Sequence, residues 1–382
     1  MNISTPFTLI QSKRELDKIT SIVAGEKEFA ADLESNSLYR YYDRICLLQI
    51  STQHHHFIID PFLTQTLSPL IPLFEDNNIR KVFHGAGYDL QMLFSHIGCK
   101  IGNLCDTQIA AQFLGEPHTS LSALLEKKMG IRLHKKYQTE NWGIRPLPPK
   151  MLHYAISDTC HLLSLANIVR GELTSLDRLS WVREECSLLT KNVTLARKKK
   201  ALPRFRNKKE LLPEQNLILS MLLGIREEIA QKKDLPAFRI LSSDQLLAMA
   251  CLTRFSEENI KKIAGRNYPL IQPQTGRIIQ CASHPTTATE ETFPSHPPKK
   301  RIPLSPSISK KIQSLKNWRV KKAKKLSLNH GLILTNTQIY TLATDTISDI
   351  QDILQSSLLK EWQKESFSKE LFLLLSPSKK KE

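Results

Sequence analysis

The sequence predicts a mixed α/β domain in the first half of the chain, followed by helical modules in the second half. Two β-rich runs, at 44–50 and 57–60, are separated by a polar turn and follow a predicted strand at 29–34, which is typical of an antiparallel meander of three strands. Helical patterns alternate with β-rich runs up to about residue 190. After that point, two blocks with helical patterns align at one fixed offset of 93 residues, as between Arg226 and Arg319.

Composition indicates a globular protein of two or three domains, because the chain has 382 residues and 41% hydrophobic content. The seven cysteines are odd in number and form no Cys-x-x-Cys pair, and the polar start of the chain lacks the shape of a signal peptide. We therefore expect reduced thiols and a cytoplasmic location. No apolar run reaches the ~18 residues that a membrane helix needs, so no membrane partner is expected.

The formal charge of +17 is concentrated in the second half of the chain. Residues 1–190 carry 19 Lys and Arg against 20 Asp and Glu, or −1, whereas residues 191–382 carry 35 against 17, or +18. This distribution favours a catalytic body joined to a region that binds a polyanion. The alternative is that the charge only keeps the protein in solution.

Two carboxylates end a predicted buried strand at residues 29–34. A strand alternates its side chains between its faces, so Asp32 and Glu34 point the same way, about 7 Å apart along the backbone. Two like charges on one face of a core strand repel each other and resist burial, and a hard divalent cation between them suits oxygen ligands. Taken alone, the pair is weak evidence for a metal site, and a solvent-facing pair is the more common case, so the prediction depends on the other carboxylates of the chain.

A third carboxylate follows another predicted strand, at 79–84. After Gly85-Ala86-Gly87 a helix begins, and Asp89 lies in its first turn, where the helix dipole also favours a negative charge for purely structural reasons. The two glycines belong to neither a complete G-x-G-x-x-G motif nor a Walker motif with its lysine, so no nucleotide cofactor is expected.

A helix predicted from about Pro149 to Gly171 carries Tyr154 and Asp158, which a spacing of four places one turn apart on one face. The structural alternative is a half-buried core aromatic and a surface acid. A basic, polar segment at 132–145 precedes this helix and could order against the backbone of a substrate. Its candidate contact residues are Lys135, Lys136, Tyr137, Trp142 and Arg145.

These motifs together resemble the three exonuclease motifs of the DEDDy 3′–5′ exonucleases. The matching features are Asp32-x-Glu34 on a first strand, Asp89 after Val82-Phe83-His84-Gly85-Ala86-Gly87-Tyr88, and Tyr154-x-x-x-Asp158 on a late helix. The flanking segments at 44–50, 142–147 and 154–158 resemble those of the ribonuclease D family, over about residues 7–190. Leu33 stands where the bacterial enzymes often have Thr, and Asn141 stands where an acid is common before Trp142.

The resemblance implies a ribonuclease H-like fold with a mixed five-stranded sheet flanked by helices. It implies that Asp32, Glu34, Asp89 and Asp158 hold two Mg²⁺ or Mn²⁺ ions. Tyr154 would orient the attacking water, a role that its unperturbed pKa near 10 favours over proton abstraction. The implied products are nucleoside 5′-monophosphates, released one at a time from the 3′ end of an RNA such as a tRNA precursor.

The second half resembles the HRDC modules that follow the catalytic domain in ribonuclease D, clearly in its first block and faintly in its second. The predicted division is an exonuclease domain at 1–195, an HRDC-like module at 208–268, a flexible basic and Pro-rich linker at 269–309, and a divergent second module at 310–376. Chance similarity between helical stretches is the alternative for the second module. Three lysines of the basic hinge between 191 and 210 are further candidate RNA contacts: Lys198, Lys199 and Lys200.

Three functions are compatible with these residues. The sequence favours a monomeric 3′–5′ exoribonuclease that acts on structured RNA. A DNA 3′–5′ exonuclease would use the same active-site residues. A non-catalytic RNA-binding adaptor is the third hypothesis, against which stands the presence of all five catalytic positions.

Overall fold

The computed structural model describes residues 5–133, 136–195, 211–283 and 305–376. Six strands form one mixed sheet in the first half of the chain: β1 Thr8–Ile10, β2 Glu28–Ser35, β3 Ile45–Ser51, β4 His56–Ile59, β5 Arg80–Phe83 and β6 Leu104–Asp106. Nine α-helices are described in the same half: α1 Lys13–Ala24, α2 Pro61–Thr64, α3 Ile71–Glu75, α4 Gly87–Ile97, α5 Thr107–Leu114, α6 Leu121–Met129, α7 Pro149–Ser157, α8 Leu162–Ser175 and α9 Leu179–Leu195.

The strand order is β1-β4-β3-β2-β5-β6, with β2 near the centre of the sheet. The antiparallel meander expected from the sequence is confirmed, because β3 pairs antiparallel with both β2 and β4. The expected number of five strands is wrong. The sixth strand, β6, is a three-residue edge strand that pairs with β5, and it is too short to show the alternating pattern that identifies strands.

The single helix expected over 149–171 is two helices, α7 and α8, and Asp158 forms the C-cap of the first. Local side chains support this break. The Ser157 hydroxyl donates to the carbonyl of Tyr154 (2.6 Å), and the buried Thr159 hydroxyl is bonded to Ser51 of β3 (2.8 Å). The first of these bonds is local and competes with continuation of the helix, whereas the second ties the chain after the break to the sheet.

The second half is helical throughout its described residues. Its helices are α10 Pro213–Lys233, α11 Ala237–Ile240, α12 Ser243–Ala250, α13 Glu257–Ala264, α14 Tyr268–Ile271, α15 Thr275–Ser283, α16 Pro306–Leu326, α17 His330–Ile333, α18 Asn336–Thr344, α19 Ile350–Leu354 and α20 Glu361–Leu375. No helix in these ranges or in the first half is both long enough and apolar enough to cross a membrane.

The linker expected at 269–309 is wrong at both of its ends. Helices α14 and α15 continue the first module to Ser283, and their residues Ile271 and Ile278 are fully buried in its core. Helix α16 begins the second module at Pro306. Burial of these isoleucines keeps the segment folded despite its Pro and Thr content, because apolar burial outweighs weak local helix propensity.

The same hydrogen bonds recur in the two helical modules at the offset of 93 residues. Arg226 donates to the carbonyl of Leu241 (3.2 Å), and Arg319 donates to the carbonyl of Leu334 (2.9 Å). In each module a capping box begins the helix that follows, with a glutamine at its third position. The repeat in the sequence therefore corresponds to a repeat of structure.

The second module packs directly against the α/β domain. The rings of Trp181 in α9 and Trp362 in α20 stack with centroids 4.6 Å apart. The Glu184 carboxylate accepts hydrogen bonds from the first two backbone N–H groups of α20, those of Glu361 (2.7 Å) and Trp362 (2.9 Å). The α/β domain thus supplies the N-terminal cap of a helix in the second module, and the two share one hydrophobic core.

Candidate active site

Strand β2 presents two of the predicted carboxylates on one face of the sheet. Asp32 lies opposite Gln49 in the antiparallel pairing of β2 with β3, and Glu34 lies opposite Leu47. Directly opposed residues of such a pair point to the same face, so these four side chains share a surface. The strand therefore places two acids on the partly buried face that helix α7 covers.

Helix α7 brings Tyr154 and Asp158 over that face. Although the helix ends at Ser157, the one-turn spacing between the two residues is kept. Carboxylate oxygens of Asp32, Glu34 and Asp158 lie within 4.8 Å of one another, and this is the one such group of three or more metal-ligating side chains in the described ranges. We call these three residues the carboxylate cluster.

Asp89 lies beside the carboxylate cluster but outside the group whose oxygens meet within 4.8 Å. It is in the first turn of α4 and is 7% exposed. Burial and the charge of Asp32 raise the pKa of Asp89 well above its ordinary value, and the charge of Asp89 in turn contributes to raising the pKa of Glu34. Its location at a helix N-terminus matches the structural alternative and the ligand role equally well.

Burial dominates the electrostatics of the cluster. It raises the pKa of Asp32 to about 7. Burial, followed by the charges of Asp32, Asp158 and Asp89, raises the pKa of Glu34 to about 10. Burial and Asp32 also raise the pKa of Asp158. These carboxylates resist being ionised together, and a nearby cation would reverse that preference.

Burial and the neighbouring Asp158 raise the pKa of Tyr154, so its hydroxyl stays protonated at neutral pH. The Tyr154 ring is held by two aromatic neighbours, with centroid distances of 6.1 Å to Trp142 and 6.0 Å to Tyr137. A rigid phenol with a retained proton is suited to donating or accepting a hydrogen bond, and poorly suited to removing a proton.

The residues present fit divalent cations. The donor set consists of carboxylate oxygens, the ligands that Mg²⁺ and Mn²⁺ prefer. Gln49, which is fully buried and faces the same side as Asp32, has no hydrogen-bond partner on either amide atom. Buried amide groups are normally hydrogen-bonded, so a further polar group is expected on this face, and a hydrated ion would provide one. The metal-ligand roles of Asp32, Glu34, Asp89 and Asp158 stay a prediction.

The carboxylate cluster and Tyr154 line a cavity of about 390 Å³ whose other polar walls come from distant segments. Sequence reasoning did not single out these wall residues, which include His84, Gln108, Ser120, Ser122 and Gln138. These residue types are common on protein surfaces, so the sequence does not mark them as site residues. Their proximity is visible only in the folded structure.

A short network of hydrogen bonds holds His84 in the wall of the cavity. The Thr107 hydroxyl donates to the carbonyl of Phe83 (3.1 Å) and is bonded to Nδ1 of His84 (2.9 Å). Gly85 adopts a positive φ of 75°, and an added Cβ would lie 3.1 Å from the Gln108 amide oxygen. The backbone conformation therefore favours glycine at this position, whereas the flexible Gln108 side chain would need to shift only slightly to make room for a Cβ.

Two of the predicted RNA contacts make tertiary contacts inside the α/β domain. Trp142 is 1% exposed and packs beside Tyr154, so its ring cannot stack on a base. Arg145 binds both carboxylate oxygens of Asp60 (2.6 and 2.8 Å) and the carbonyl of Cys46 (2.8 Å). The burial of Trp142 contradicts its predicted RNA contact. The Arg145 side chain is 21% exposed, so its RNA contact stays a prediction.

The other predicted contacts differ in exposure. Tyr137 is half-buried against Tyr154, and Lys136 is exposed with its ammonium 5.9 Å from the Tyr137 ring centre. For both residues the RNA contact stays a prediction. Four predicted contact residues lie outside the described residues: Lys135, Lys198, Lys199 and Lys200.

Comparison with known proteins identifies the domains. Residues 7–174 match the family described as 3'-5' exonuclease, and residues 215–281 match the HRDC domain. The exosome complex component 10 homolog of Caenorhabditis elegans is 33% identical over 252 residues, which are 64% of this chain and 29% of that protein. A ribonuclease D of Sphingobium indicum is 28% identical over 371 residues, which are 95% of this chain and 92% of that protein.

Two solved structures superpose on this chain. The catalytic core of RRP6 from Trypanosoma brucei superposes with a TM-score of 0.64 at 28% identity, covering 75% of this chain and 81% of that one. Escherichia coli RNase D superposes with a TM-score of 0.69 at 21% identity, covering 97% and 99%, and supports the fold. The chain spans less than a third of the exosome-component relatives that it matches.

The chain therefore carries a 3′–5′ exonuclease domain followed by an HRDC domain. Over nearly its whole length it is similar to the ribonuclease D of Sphingobium indicum.

Proposed function

We propose that this protein is a metal-dependent 3′–5′ exoribonuclease that releases nucleoside 5′-monophosphates. The observation that carries the proposal is the carboxylate cluster, in which three acids meet within 4.8 Å beside Tyr154 on the wall of an open cavity. Similarity to ribonuclease D and to exosome exonucleases over the same residues supports it.

The proposed roles follow from burial and charge. Asp32, Glu34, Asp89 and Asp158 would hold two Mg²⁺ or Mn²⁺ ions, which would supply an activated water and compensate charge on the leaving oxygen. Tyr154, which keeps its proton, holds the water in line by a hydrogen bond. The polar walls of the cavity hold the terminal nucleotide beside these groups.

The finer substrate proposal is structured RNA with a free 3′ end, such as a tRNA precursor. Escherichia coli RNase D is described as an exoribonuclease involved in structured RNA processing, and this chain shares its fold. The excess of basic residues after position 190 would hold the body of such an RNA while its 3′ end enters the cavity. The cysteines of the described ranges all carry free thiols, which supports the further proposal of a cytoplasmic protein. We also propose that it acts as a monomer.

The experiment is hydrolysis of matched 5′-labelled RNA and DNA oligonucleotides by the full chain with Mn²⁺. Loss of one nucleotide at a time from RNA, with chromatographic identification of 5′-monophosphates, is the expected result. Asp32→Asn should abolish it, and Asp345→Asn, which neutralises an exposed acid of the second module, should leave it unchanged. Preferential hydrolysis of DNA would favour the DNA exonuclease instead, and RNA binding without any hydrolysis would favour the adaptor.

A further inference from the structure

A second polar cavity, of about 270 Å³, lies where the α/β domain meets the first helical module. We call it the junction cavity, and its principal lining residues are Asn36, Arg40, Arg44, Phe62, Asn141 and Asp234. All but one of these belong to the α/β domain. Asp234 is the C-cap of α10, so the first module closes one side of the cavity.

Asp234 ties the two parts together through the loop that follows β2. Its carboxylate accepts the backbone N–H groups of Tyr41 and Tyr42, both at 3.1 Å, and pairs with the Arg40 guanidinium at 3.3 Å. A residue of the first module thus fixes the conformation of a loop that begins directly after the catalytic strand. Arg40 is held in place by the same contact.

Arg44 leaves the junction cavity with an excess of positive charge. Its side chain is exposed and forms no ion pair with any described residue, whereas its backbone N–H is anchored to the buried Asn36 side chain (2.8 Å). Two guanidinium groups therefore face one carboxylate, Asp234. A small polar cavity with spare guanidinium donors suits a phosphate group, because these donors match phosphate oxygens in geometry and charge.

The junction cavity adjoins the candidate active site through two segments of chain. Asn36 is two residues beyond Glu34 of the carboxylate cluster. Asn141 belongs to the same loop as Gln138, which lines the catalytic cavity. An RNA strand with its 3′ end at the cluster would have this cavity beside its upstream backbone.

We propose that the junction cavity binds an internucleotide phosphate of the RNA upstream of the terminal nucleotide, with Arg44 as its principal donor. This inference rests on the proposed exoribonuclease function and assigns the first helical module a part in substrate binding. The module acts by closing the cavity and holding Arg40, so the site is complete only when both parts of the chain are docked.

The test is binding of 5′-fluorescein single-stranded RNA of 2, 4, 8 and 12 nucleotides by the full chain in EDTA, where no hydrolysis occurs. Arg44→Gln should weaken the 12-mer about tenfold or more, because a charge-assisted contact is lost. It should also make the slope of log affinity against log salt shallower by about 0.7, and it should spare the dinucleotide. Arg14→Gln, which neutralises an exposed arginine of α1, is the matched control. The affinity of the Arg44→Lys protein should lie between those of the wild type and the Arg44→Gln protein, because lysine keeps the charge but cannot bind phosphate through two parallel N–H donors.

Three results would overturn the inference: equal affinities of the Arg44→Gln and Arg14→Gln proteins for the 12-mer, an equal loss for the dinucleotide and the 12-mer, or an unchanged salt slope. Competition by 10 mM inorganic phosphate at constant ionic strength that abolishes the difference between variants would identify a site for free phosphate instead. The binding measurements need no turnover. A failure of the proposed function in the hydrolysis assay is therefore distinguishable from a failure here.

Discussion

Replacing Asp158 by Asn should stabilise the cation-free protein at neutral pH. Carboxylate oxygens of Asp32, Glu34 and Asp158 lie within 4.8 Å of one another. Two unit charges at that separation repel by roughly 3.5 kcal/mol at an effective dielectric constant of about 20. Part of this repulsion is relieved by protonation, so we expect a gain of roughly 1–3 kcal/mol in the free energy of unfolding.

The gain should depend on pH in a defined direction. Burial raises the pKa of Asp32 to about 7, above the value near 3.9 of an unfolded chain. The folded state then binds more protons than the unfolded state, so the stability of the cation-free protein falls as pH rises from about 4 to about 7. At about pH 5 the cluster is largely protonated, and the Asp158→Asn protein should differ little from the wild type.

The assay is denaturant unfolding of the full chain in EDTA at about pH 5, 6 and 7.5, with Asp345→Asn as the control for a neutralised surface acid. With Mn²⁺ at 100 times its Kd, the wild type should gain about 2.7 kcal/mol. The Asp158→Asn protein should lose most of that gain. A cation-free Asp158→Asn protein no more stable than the wild type at pH 7.5 would refute the account of a self-repelling cluster, and an equal Mn²⁺ effect on both would refute the metal site.

Three further substitutions separate catalytic from structural roles. Tyr154→Phe should lower kcat on the order of 10²-fold with little change in KM, because a hydrogen bond to the nucleophile is lost; turnover within a factor of two would make Tyr154 a packing residue. Arg145→Gln should cost roughly 3 kcal/mol in denaturant unfolding, since it leaves the buried Asp60 unpaired, and RNA affinity of the folded fraction should not change. A selective loss of RNA affinity would instead identify Arg145 as an RNA contact. Trp362→Ala should cost roughly 3–5 kcal/mol by removing a ring that is 2% exposed, and a loss under 1 kcal/mol would show that the second module is loosely attached.

Local periodicity predicted the parts of the site that depend on regular structure. The two-residue spacing of Asp32 and Glu34 and the four-residue spacing of Tyr154 and Asp158 each fix a shared face, whatever lies around them. Even the unexpected end of α7 before Asp158 left the second spacing intact. That the two pairs come together in one carboxylate cluster was implied only by the resemblance to the DEDDy exonucleases, because neither spacing says which parts of the chain are neighbours in the fold.

Residues whose roles depend on tertiary packing were not predictable in the same way. Trp142 and Arg145 lie in a basic, polar segment that is typical of a nucleic-acid contact. The burial of Trp142 against Tyr154 and the pairing of Arg145 with Asp60 have no local signature in the sequence. Strand β6 was missed for a related reason, because three residues at a sheet edge are defined only by the partner strand.

The attachment of the second module determines how its positive charge can act. Helix α16 contains no acidic residue, and Lys310, Lys321 and Lys324 are exposed at separations that place them on one side of a helix with 3.6 residues per turn. Because the module shares a core with the α/β domain through Trp181 and Trp362, this row of lysines keeps one orientation relative to the candidate active site. Removing the second half of the chain would expose that core and confound any loss of RNA binding with unfolding. The proposed polyanion-binding role of the second half would therefore depend on individual charges on a fixed surface, and it can be separated from stability only by substituting those lysines in the intact chain.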